Sequence, residues 1–480
     1  MAKQGRRAPE QDESQIPERD PTEPGRNPAA FYRAQNVINR RIHVLGMGNV
    51  GKFMAHSLRG ILPDPPPVTL IFHKREHLTE WETSLKRLHV TTDGDTEYRD
   101  GFDVELSYPS IRYMGKEIEN LHRPPTWDGQ SDDPIDSLIV CTKATHVLQA
   151  LSPIKHRLHP ESVILFLQNG MGTVEAVNRE IFPDPATRPH YMLGINSHGL
   201  RASKDSFTTI HSGFGTIALG ILPHERVREP APYAPTPKYA PTKDNVPVRP
   251  KNPANPAPDT PEATSASFKW SSNHRYLLRT LLRTPVLGAT AFSPPDLLQM
   301  QLEKLVVNCI VNPLTVILDA RNGSILYNYS MSRVMRLLLS EISLVIRSLP
   351  ELQHIPNVEQ RFDPGRLETI VVGIANNTKE NISSMLADVR AGRMTEIDYI
   401  NGWIVQKGEE LGIKCFMNYM LLHLVEGKGR MIQMEMGEGI PFVDGPRGGG
   451  ELILNDMVAM EGDRPEISKE ASDGNNDGKS

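Results

Sequence analysis

The stretch RIHVLGMGNVGKFM, residues 41–54, contains Gly46-Met47-Gly48-Asn49-Val50-Gly51, a G-x-G-x-x-G. Three glycines at this spacing restrict what the chain can build more than any other feature. They suit a tight strand-to-helix turn, where backbone approaches a diphosphate and the new helix offers unpaired N–H groups and positive potential. Alone the pattern is weak, and the competing reading is a glycine turn that binds nothing. The flanks decide. IHVLG is a short apolar run ending in glycine, VGKFMAHSLRGIL has helical spacing, DPPP makes a loop, and VTLIFHK is rich in β-formers. That order is strand, turn, helix, strand.

Further short apolar runs, DSLIVCTK (136–143), SVILFLQNG (162–170) and GTIALG (215–220), read as strands. Strands alternating with helices predict a mostly parallel sheet. Residues 88–134 are polar and longer than a minimal α/β unit needs, and read as a long loop. Between Pro223 and Pro261 fall twelve prolines in 39 residues, which excludes a helix or a central strand. After Phe268 the pattern is helical almost to Gly427. The expected plan is a disordered tail over 1–39, an α/β Rossmann-type domain over 40–222, a disordered proline-rich insertion over 223–267, an all-helical domain over 268–428, and a mostly flexible tail over 429–480.

Bulk properties narrow the partners. A net charge of −5 over 480 residues leaves no nucleic-acid footprint. Cys141, Cys309 and Cys415 lack metal spacing, and their odd number favours a reducing compartment. No apolar run approaches the ~20 residues a membrane helix needs. The first residues lack an apolar core and are too acidic for a mitochondrial presequence. The expectation is a cytoplasmic protein with no metal, nucleic-acid or membrane partner.

The end of the second strand bears on the cofactor. NAD enzymes usually place Asp or Glu there for the ribose 2′-hydroxyl. Here the chain reads Phe72-His73-Lys74-Arg75. Two cations suit a 2′-phosphate and favour NADPH, although Glu76 follows directly; the bland reading is a solvated basic loop.

Two later stretches carry polar groups in unusual places. In SPPDLLQMQLEKLVVNCIVNPLTVIL (293–318), Ser293 is a good N-cap followed by proline. Lys304, Asn308 and Asn312 fall at i, i+4 and i+8, one stripe of an otherwise apolar helix, and Pro313 is expected to kink it just after Asn312. A lysine there suits donation to a carbonyl oxygen, and the asparagines suit hydroxyl or carbonyl groups; the alternative is a wet face with a snorkelling lysine. In ENISSMLADVRAGRMTEIDYING (380–402), a helix carrying Ser384 should run to Arg390 and stop near Gly392. Thr395 should open another through a capping box, with Glu396 in its first turn, where a carboxylate does no more than complement the helix dipole on the bland reading.

Together, LGMGNVG, LQNGMGT (167–173), EKLVVNCIVNPLTVI (303–317) and ENISSMLADVRAGRMTEIDYING resemble, in order, the signatures of ketopantoate reductase (2-dehydropantoate 2-reductase). The resemblance covers most of 41–220 and 268–425 and leaves out the tails, the loop after Leu88 and the insertion. It implies a Rossmann domain, an all-helical C-terminal domain, and an active site between them that reduces ketopantoate with NADPH to pantoate, a precursor of pantothenate and coenzyme A. It implies that Lys304 is catalytic, that Glu396 lies close to both ligands and assists, and that Asn308, Asn312, Asn322 and Ser384 contact substrate. Asn169 would sit beside nicotinamide and substrate, Lys143 near the cofactor, and Lys74 at the 2′-phosphate with Arg75 sharing that role. Gly46 to Gly51 would cradle the diphosphate, and the backbone of Leu200 would meet the cofactor. The implied partner is a small 2-keto acid, and a homodimer is a candidate assembly. Two rivals stand: a reductase of a related 2-keto acid, and a catalytically silent NADPH-binding protein of the same fold.

Replacing Lys74 and Arg75 together by alanine should weaken use of NADPH far more than NADH, because only NADPH carries the phosphate these cations would pair with. The ratio of catalytic efficiencies with the two cofactors reads this directly; an unchanged ratio places the phosphate elsewhere.

Overall fold

The structure, a computed structural model, describes residues 39–107, 111–113, 116–118, 131–223 and 271–437. The expected N-terminal tail, the proline-rich insertion and residues 438–480 of the expected C-terminal tail fall almost wholly outside them. The α/β half is built on β1 (Ile42–Leu45), β2 (Val68–Phe72), β5 (Phe102–Leu106), β8 (Ile135–Val140), β9 (Leu158–Phe166) and β10 (His190–Asn196), with β13 (Ile217–Ile221) and β14 (Ala289–Ala291) at one edge. Their order in the sheet is β14-β13-β10-β9-β8-β1-β2-β5. From β5 to β10 neighbours run parallel; β13 is antiparallel to β10, and β14 parallel to β13. β1 is apolar at nearly every position because both faces are covered. Ile42 and Val44 join one core, with Phe53 and Leu58 of α1 (Asn49–Arg59), and Leu45 joins the other, with Leu138 and Val140.

Chain order leaves β1 towards β2 and β5, then resumes on its other side with β8, β9 and β10. The sheet therefore switches direction between β1 and β8, and the crevice beyond the carboxyl ends of those strands is where open α/β sheets bind ligands. The glycine turn lies there, as do the chain just past β8 and that just past β9.

Residues 88–106 correct the expectation of a long loop. They form β3 (Leu88–Thr92), β4 (Asp95–Arg99) and β5. β3 and β4 make a hairpin closed by Asp93 and Gly94, both at positive φ, the geometry a tight two-residue turn requires. β3 also pairs in parallel with β12 (Thr208–Gly213), which pairs with β11 (Gly199–Ala202), giving a second sheet of order β11-β12-β3-β4. Farther on, β6 (Ile111–Tyr113) and β7 (Lys116–Ile118) pair antiparallel. The other helices of this half longer than five residues include α2 (Arg75–Thr83), α3 (Thr173–Glu180) and α4 (Ser272–Leu282). α4 and β14 correct the expected start of the helical domain at 268: Leu277, Leu278 and Leu281 are buried in the same core as α1, and β14 extends the main sheet.

The helical half comprises α5 (Pro294–Leu318), α6 (Tyr329–Arg347), α7 (Pro364–Asn377), α8 (Ser384–Arg390), α9 (Asn401–Glu410) and α10 (Phe416–Gly437). Ser293 caps α5 as expected, its hydroxyl accepting from the Asp296 N–H. α5 is its central rod, with Leu305, Ile310 and Leu314 packed among Leu338, Leu386, Ile404 and Val425. By length and apolar composition α5 is sufficient to cross a membrane, contrary to the expectation that no segment would be, and two thirds (67%) of its most apolar window is buried inside the protein. α5 also runs on through Pro313 to Leu318. Pro313 cannot donate to the Cys309 carbonyl one turn back; Asn401 Nδ2 donates to that oxygen instead, at 3.0 Å. α10 continues past Gly427 and Gly429 to Gly437, so the tail expected from 429 begins as helix.

The halves meet where the loop after β9 lies on the turn before α9. Met171 N donates to the Tyr399 carbonyl at 2.8 Å. Gly170 has φ +82°, and a Cβ there would stand 2.3 Å from that same oxygen. Gly170→Ala should therefore destabilise the full chain by at least about 1–3 kcal/mol from backbone strain alone. Denaturant midpoints measure it, and an unshifted midpoint would mean that this loop does not dock as described.

Candidate active site

The glycine turn has the shape its motif requires. Gly46 has φ +97°, and a Cβ on it would collide with the backbone of Cys141 and Thr142 past β8. A Cβ on Gly51 would stand 2.0 Å from the Gly46 carbonyl, so glycine lets α1 pack on β1. Gly48 is the contrast: nothing lies within 4 Å of where its Cβ would be, which leaves its outer face open. The first turn of α1 holds no acidic residue and its N-terminus has no side-chain cap. An open glycine face beside uncapped helix N–H groups fits a diphosphate, with Met47, Asn49 and Val50 supplying the rest of the turn. At the carboxyl end of β2, Lys74 and Arg75 are both exposed and neither side chain has an internal partner among the described residues. The residues present fit a dinucleotide with a 2′-phosphate.

Lys304 projects from α5 towards the sheet. Its Nζ donates to Asn169 Oδ1 at 2.9 Å and to the Asn196 carbonyl at 2.8 Å. Asn169 follows β9, and Asn196 ends β10. The other end of the Asn169 amide, Nδ2, donates to Glu396 Oε2 at 3.1 Å, and the Ala144 N–H, just past β8, donates to Glu396 Oε1 at 3.0 Å. Lys143 reaches across to the helical half, with its Nζ 2.7 Å from Asp388 Oδ1 and donating to the Met394 carbonyl at 3.0 Å. Asp388 is shared with Arg393.

Electrostatics follow from this packing. By accessible area Lys304 and Glu396 are half-buried, since solvent reaches one side. Protein crowds their other sides, and that crowding sets their titration. Burial pushes the Lys304 ammonium down from 10.5 to about 8, against the pull of the Glu396 carboxylate. Burial likewise pushes the Glu396 carboxyl up, against its bonds from Ala144 and Asn169 and the charge of Lys143.

Asn308 and Asn312 continue the stripe along α5. Asn308 is half-buried with no side-chain partner among the described residues, and Asn312 is buried. Ser384 is the first residue of α8 and is exposed; the preceding Ser383 caps α8 and pairs with Thr315 of α5 at 2.7 Å. Asn322 is buried in a short turn after α5, where it donates to Thr378 Oγ1 at 3.0 Å; no described bond joins it to the Lys304 group. Leu200 lies on β11, paired with His211 of β12 and packed against the core around α1.

One local expectation fails. No helix opens at Thr395: Glu396 precedes a single tight turn, Ile397–Tyr399, and α9 starts only at Asn401. Glu396 has no helix dipole to complement, so its carboxyl is free to face the sheet. Asn196 and the Ala144 N–H escaped the sequence reading because both act through backbone groups, and the residue type at such a position carries no signal.

Over residues 42–224 the sequence matches the family model "Ketopantoate reductase PanE/ApbA", and over residues 296–429 "Ketopantoate reductase PanE/ApbA C terminal". The first match includes 88–134, which the resemblance read from the sequence had left out. "Probable 2-dehydropantoate 2-reductase" of Schizosaccharomyces pombe is 26% identical over 393 residues, 82% of this chain and 97% of that one. "Ketoisovalerate reductase" of Beauveria bassiana is 26% identical over 434 residues, 82% of this chain and 83% of that one. Among solved structures, a ternary structure of D-mandelate dehydrogenase with NADH and anilino(oxo)acetate shares the fold, with a TM-score of 0.52 at 18% identity over 82% of this chain and 99% of that one. Each half of the molecule carries one matched segment, every residue of the Lys304–Asn169–Glu396 group falls inside them, and the chain belongs to the ketopantoate reductase family of oxidoreductases.

Proposed function

We propose that this protein reduces 2-dehydropantoate to pantoate with NADPH. The observation that carries the reading is the buried Lys304 ammonium, held where the carboxyl ends of β9 and β10 face α5. The bound nicotinamide would supply the hydride equivalent at the keto carbon. As the keto oxygen gains negative charge, Lys304 stabilises it and delivers the proton that completes the hydroxyl. Asn169 holds Lys304 and Glu396 in register through its two amide ends. Lys74 and Arg75 support NADPH over NADH.

The substrate bears a carboxylate and a primary hydroxyl besides its keto group. Asn308 and the exposed Ser384 hydroxyl are uncommitted polar groups suited to them. The Beauveria bassiana relative, equally similar by identity, is named for ketoisovalerate, which lacks that hydroxyl, so a related 2-keto acid is the second reading. A site that hydrogen-bonds a substrate hydroxyl discriminates strongly against an analogue without it, whereas an apolar pocket does not.

NADPH oxidation with 2-dehydropantoate, 2-ketoisovalerate and other 2-keto acids separates the readings. A preference for 2-dehydropantoate by an order of magnitude or more is expected; the reverse preference assigns the second. Lys304→Ala should keep NADPH binding and lower turnover by about a hundredfold or more. Near wild-type turnover in that variant would remove Lys304 from the chemistry.

Because only protonated Lys304 donates, kcat/KM for reduction should be full below and fall as pH rises through about 8, the value to which burial lowers this ammonium. An activity level up to the ordinary lysine range would contradict the assignment.

A further inference from the structure

We propose that His198 is a positioning residue that fixes the Asn196 carbonyl on Lys304. The proposal rests on Lys304 being the proton donor. Lys304 has two acceptors. Asn169 Oδ1 is a side-chain atom on an amide shared with Glu396, whereas the Asn196 carbonyl is backbone and moves only if the turn after β10 moves. That turn, residues 196–198, enters β11; Asn196 itself closes the β10–β13 ladder opposite Ile217, and within the turn the His198 N–H donates to Asn196 Oδ1 at 3.0 Å.

The His198 ring ties the turn to several further segments. It is buried, at 8% exposure. The Gly215 N–H donates to its Nδ1 at 3.1 Å, so Nδ1 is unprotonated and the ring proton sits on Nε2, which donates to the Leu287 carbonyl at 3.0 Å. His211 Nε2 lies 3.1 Å from the same Nδ1. His211 Nδ1 lies 3.4 Å from the Thr92 hydroxyl. Phe53 of α1 packs on both rings, with centroids 4.9 and 5.0 Å away. One imidazole thus joins the carrier of the Lys304 acceptor to β12, to the segment before β13, to the residue preceding Gly288 and β14, and to the helix that opens with the glycine turn.

Ser197 supplies a competing brace, since its hydroxyl accepts the Thr216 N–H at 2.8 Å and its own N–H donates to the Thr216 carbonyl at 3.0 Å. Those bonds hold the turn to one neighbouring segment only. The approach is close: a Cβ on Gly215 would stand 2.5 Å from the Ser197 carbonyl oxygen. His198 is bonded through its own N–H to the Asn196 side chain, so a shift of the imidazole is passed to the turn.

The test compares His198→Phe, which keeps an aromatic ring against Phe53 and removes both ring nitrogens, with His198→Asn, whose Oδ1 falls near the position of Nδ1. kcat and KM are measured with NADPH and the best 2-keto acid. Reductive methylation of Lys304, followed by peptide mass spectrometry on the full chain without substrate, reports ammonium tethering independently of turnover. His198→Phe should lower kcat by about tenfold or more with KM for NADPH within about twofold, and Lys304 should methylate several-fold faster. His198→Asn should recover most of both. Wild-type kcat and methylation in the phenylalanine variant would overturn the proposal, as would an asparagine variant no better than phenylalanine, which would mark the ring as packing alone. If the wild type reduces no 2-keto acid, or Lys304→Ala retains turnover, the functional reading fails, and methylation still decides whether His198 positions the ammonium.

Discussion

An ammonium group taken out of bulk water needs acceptors, and the acceptors of Lys304 come from the other half of the molecule. Lys304 is carried by α5, but the oxygens that receive its protons sit just past β9 and at the end of β10. Those positions are set by the parallel sheet, which aligns the carboxyl ends of its strands on one edge. Glu396 repeats the arrangement with opposite charge, accepting hydrogen bonds from the Ala144 N–H past β8 and from Asn169 Nδ2. Among the described residues the Asn169 amide is the only group bonded to both, and its orientation is thereby determined: oxygen to the ammonium, nitrogen to the carboxyl. Separation of the halves would strand both charged groups. The docking of the two halves and the assembly of the site are thus a single event.

The rigidity this demands of α5 has its own source. A proline at 313 in a buried helix leaves the Cys309 carbonyl without its usual donor, and an unpaired buried carbonyl is costly. Asn401 repairs it from α9 and is itself wholly buried, bonded also to Asn418 Oδ1 at 3.1 Å. Asn418 in turn donates to Glu341 of α6, which accepts the Met417 and Asn418 N–H groups at the start of α10. A defect in one helix is thereby used to lock three others around it. The stripe Lys304–Asn308–Asn312 lies within the three turns before that proline, on a rod held at both ends, by the Ser293 cap and by this network.

What could be read from the sequence was whatever depends on local pattern. The glycine turn, the apolar strands around it and the capped, striped helix α5 have one-dimensional signatures, and the stripe singled out Lys304; Asn169 and the role of Glu396 came only with the resemblance to the family. The misreadings have a common cause. β3 and β4 look polar because an edge hairpin has solvent on one or both faces, although its Asp93-Gly94 turn was visible. α4 reads as part of a helical domain, yet its partner is the sheet, and β14, three residues long, is below the length at which alternation can be seen. Thr395 to Asp398 spell a capping box, but the loop is pulled onto the sheet by Glu396 instead of winding into helix. Gly427 and Gly429 suggested an end to α10, a local propensity overridden by packing against α5. In each case tertiary contact outweighed a preference worth about 1 kcal/mol or less.

The burial that suits Lys304 to the proposed proton transfer works against the fold. Its ammonium is lowered to about 8 from 10.5, so between those values the unfolded chain binds more protons than the folded one, and stability rises with pH there. Below about 8, neutral pH included, the full penalty is present. Glu396 is raised, so the folded chain binds the extra proton above the ordinary carboxylate range, and stability falls as pH climbs from that range through the raised value. Near neutrality both groups therefore subtract from stability. An aliphatic residue at 304 would remove the lysine's share of the penalty and, with it, the demand for the Asn196 carbonyl. A core selected for stability alone has no reason to keep a lysine in that place; a catalyst that must deliver a proton near neutral pH does, because an acid works best when its own pKa lies close to the pH at which it acts.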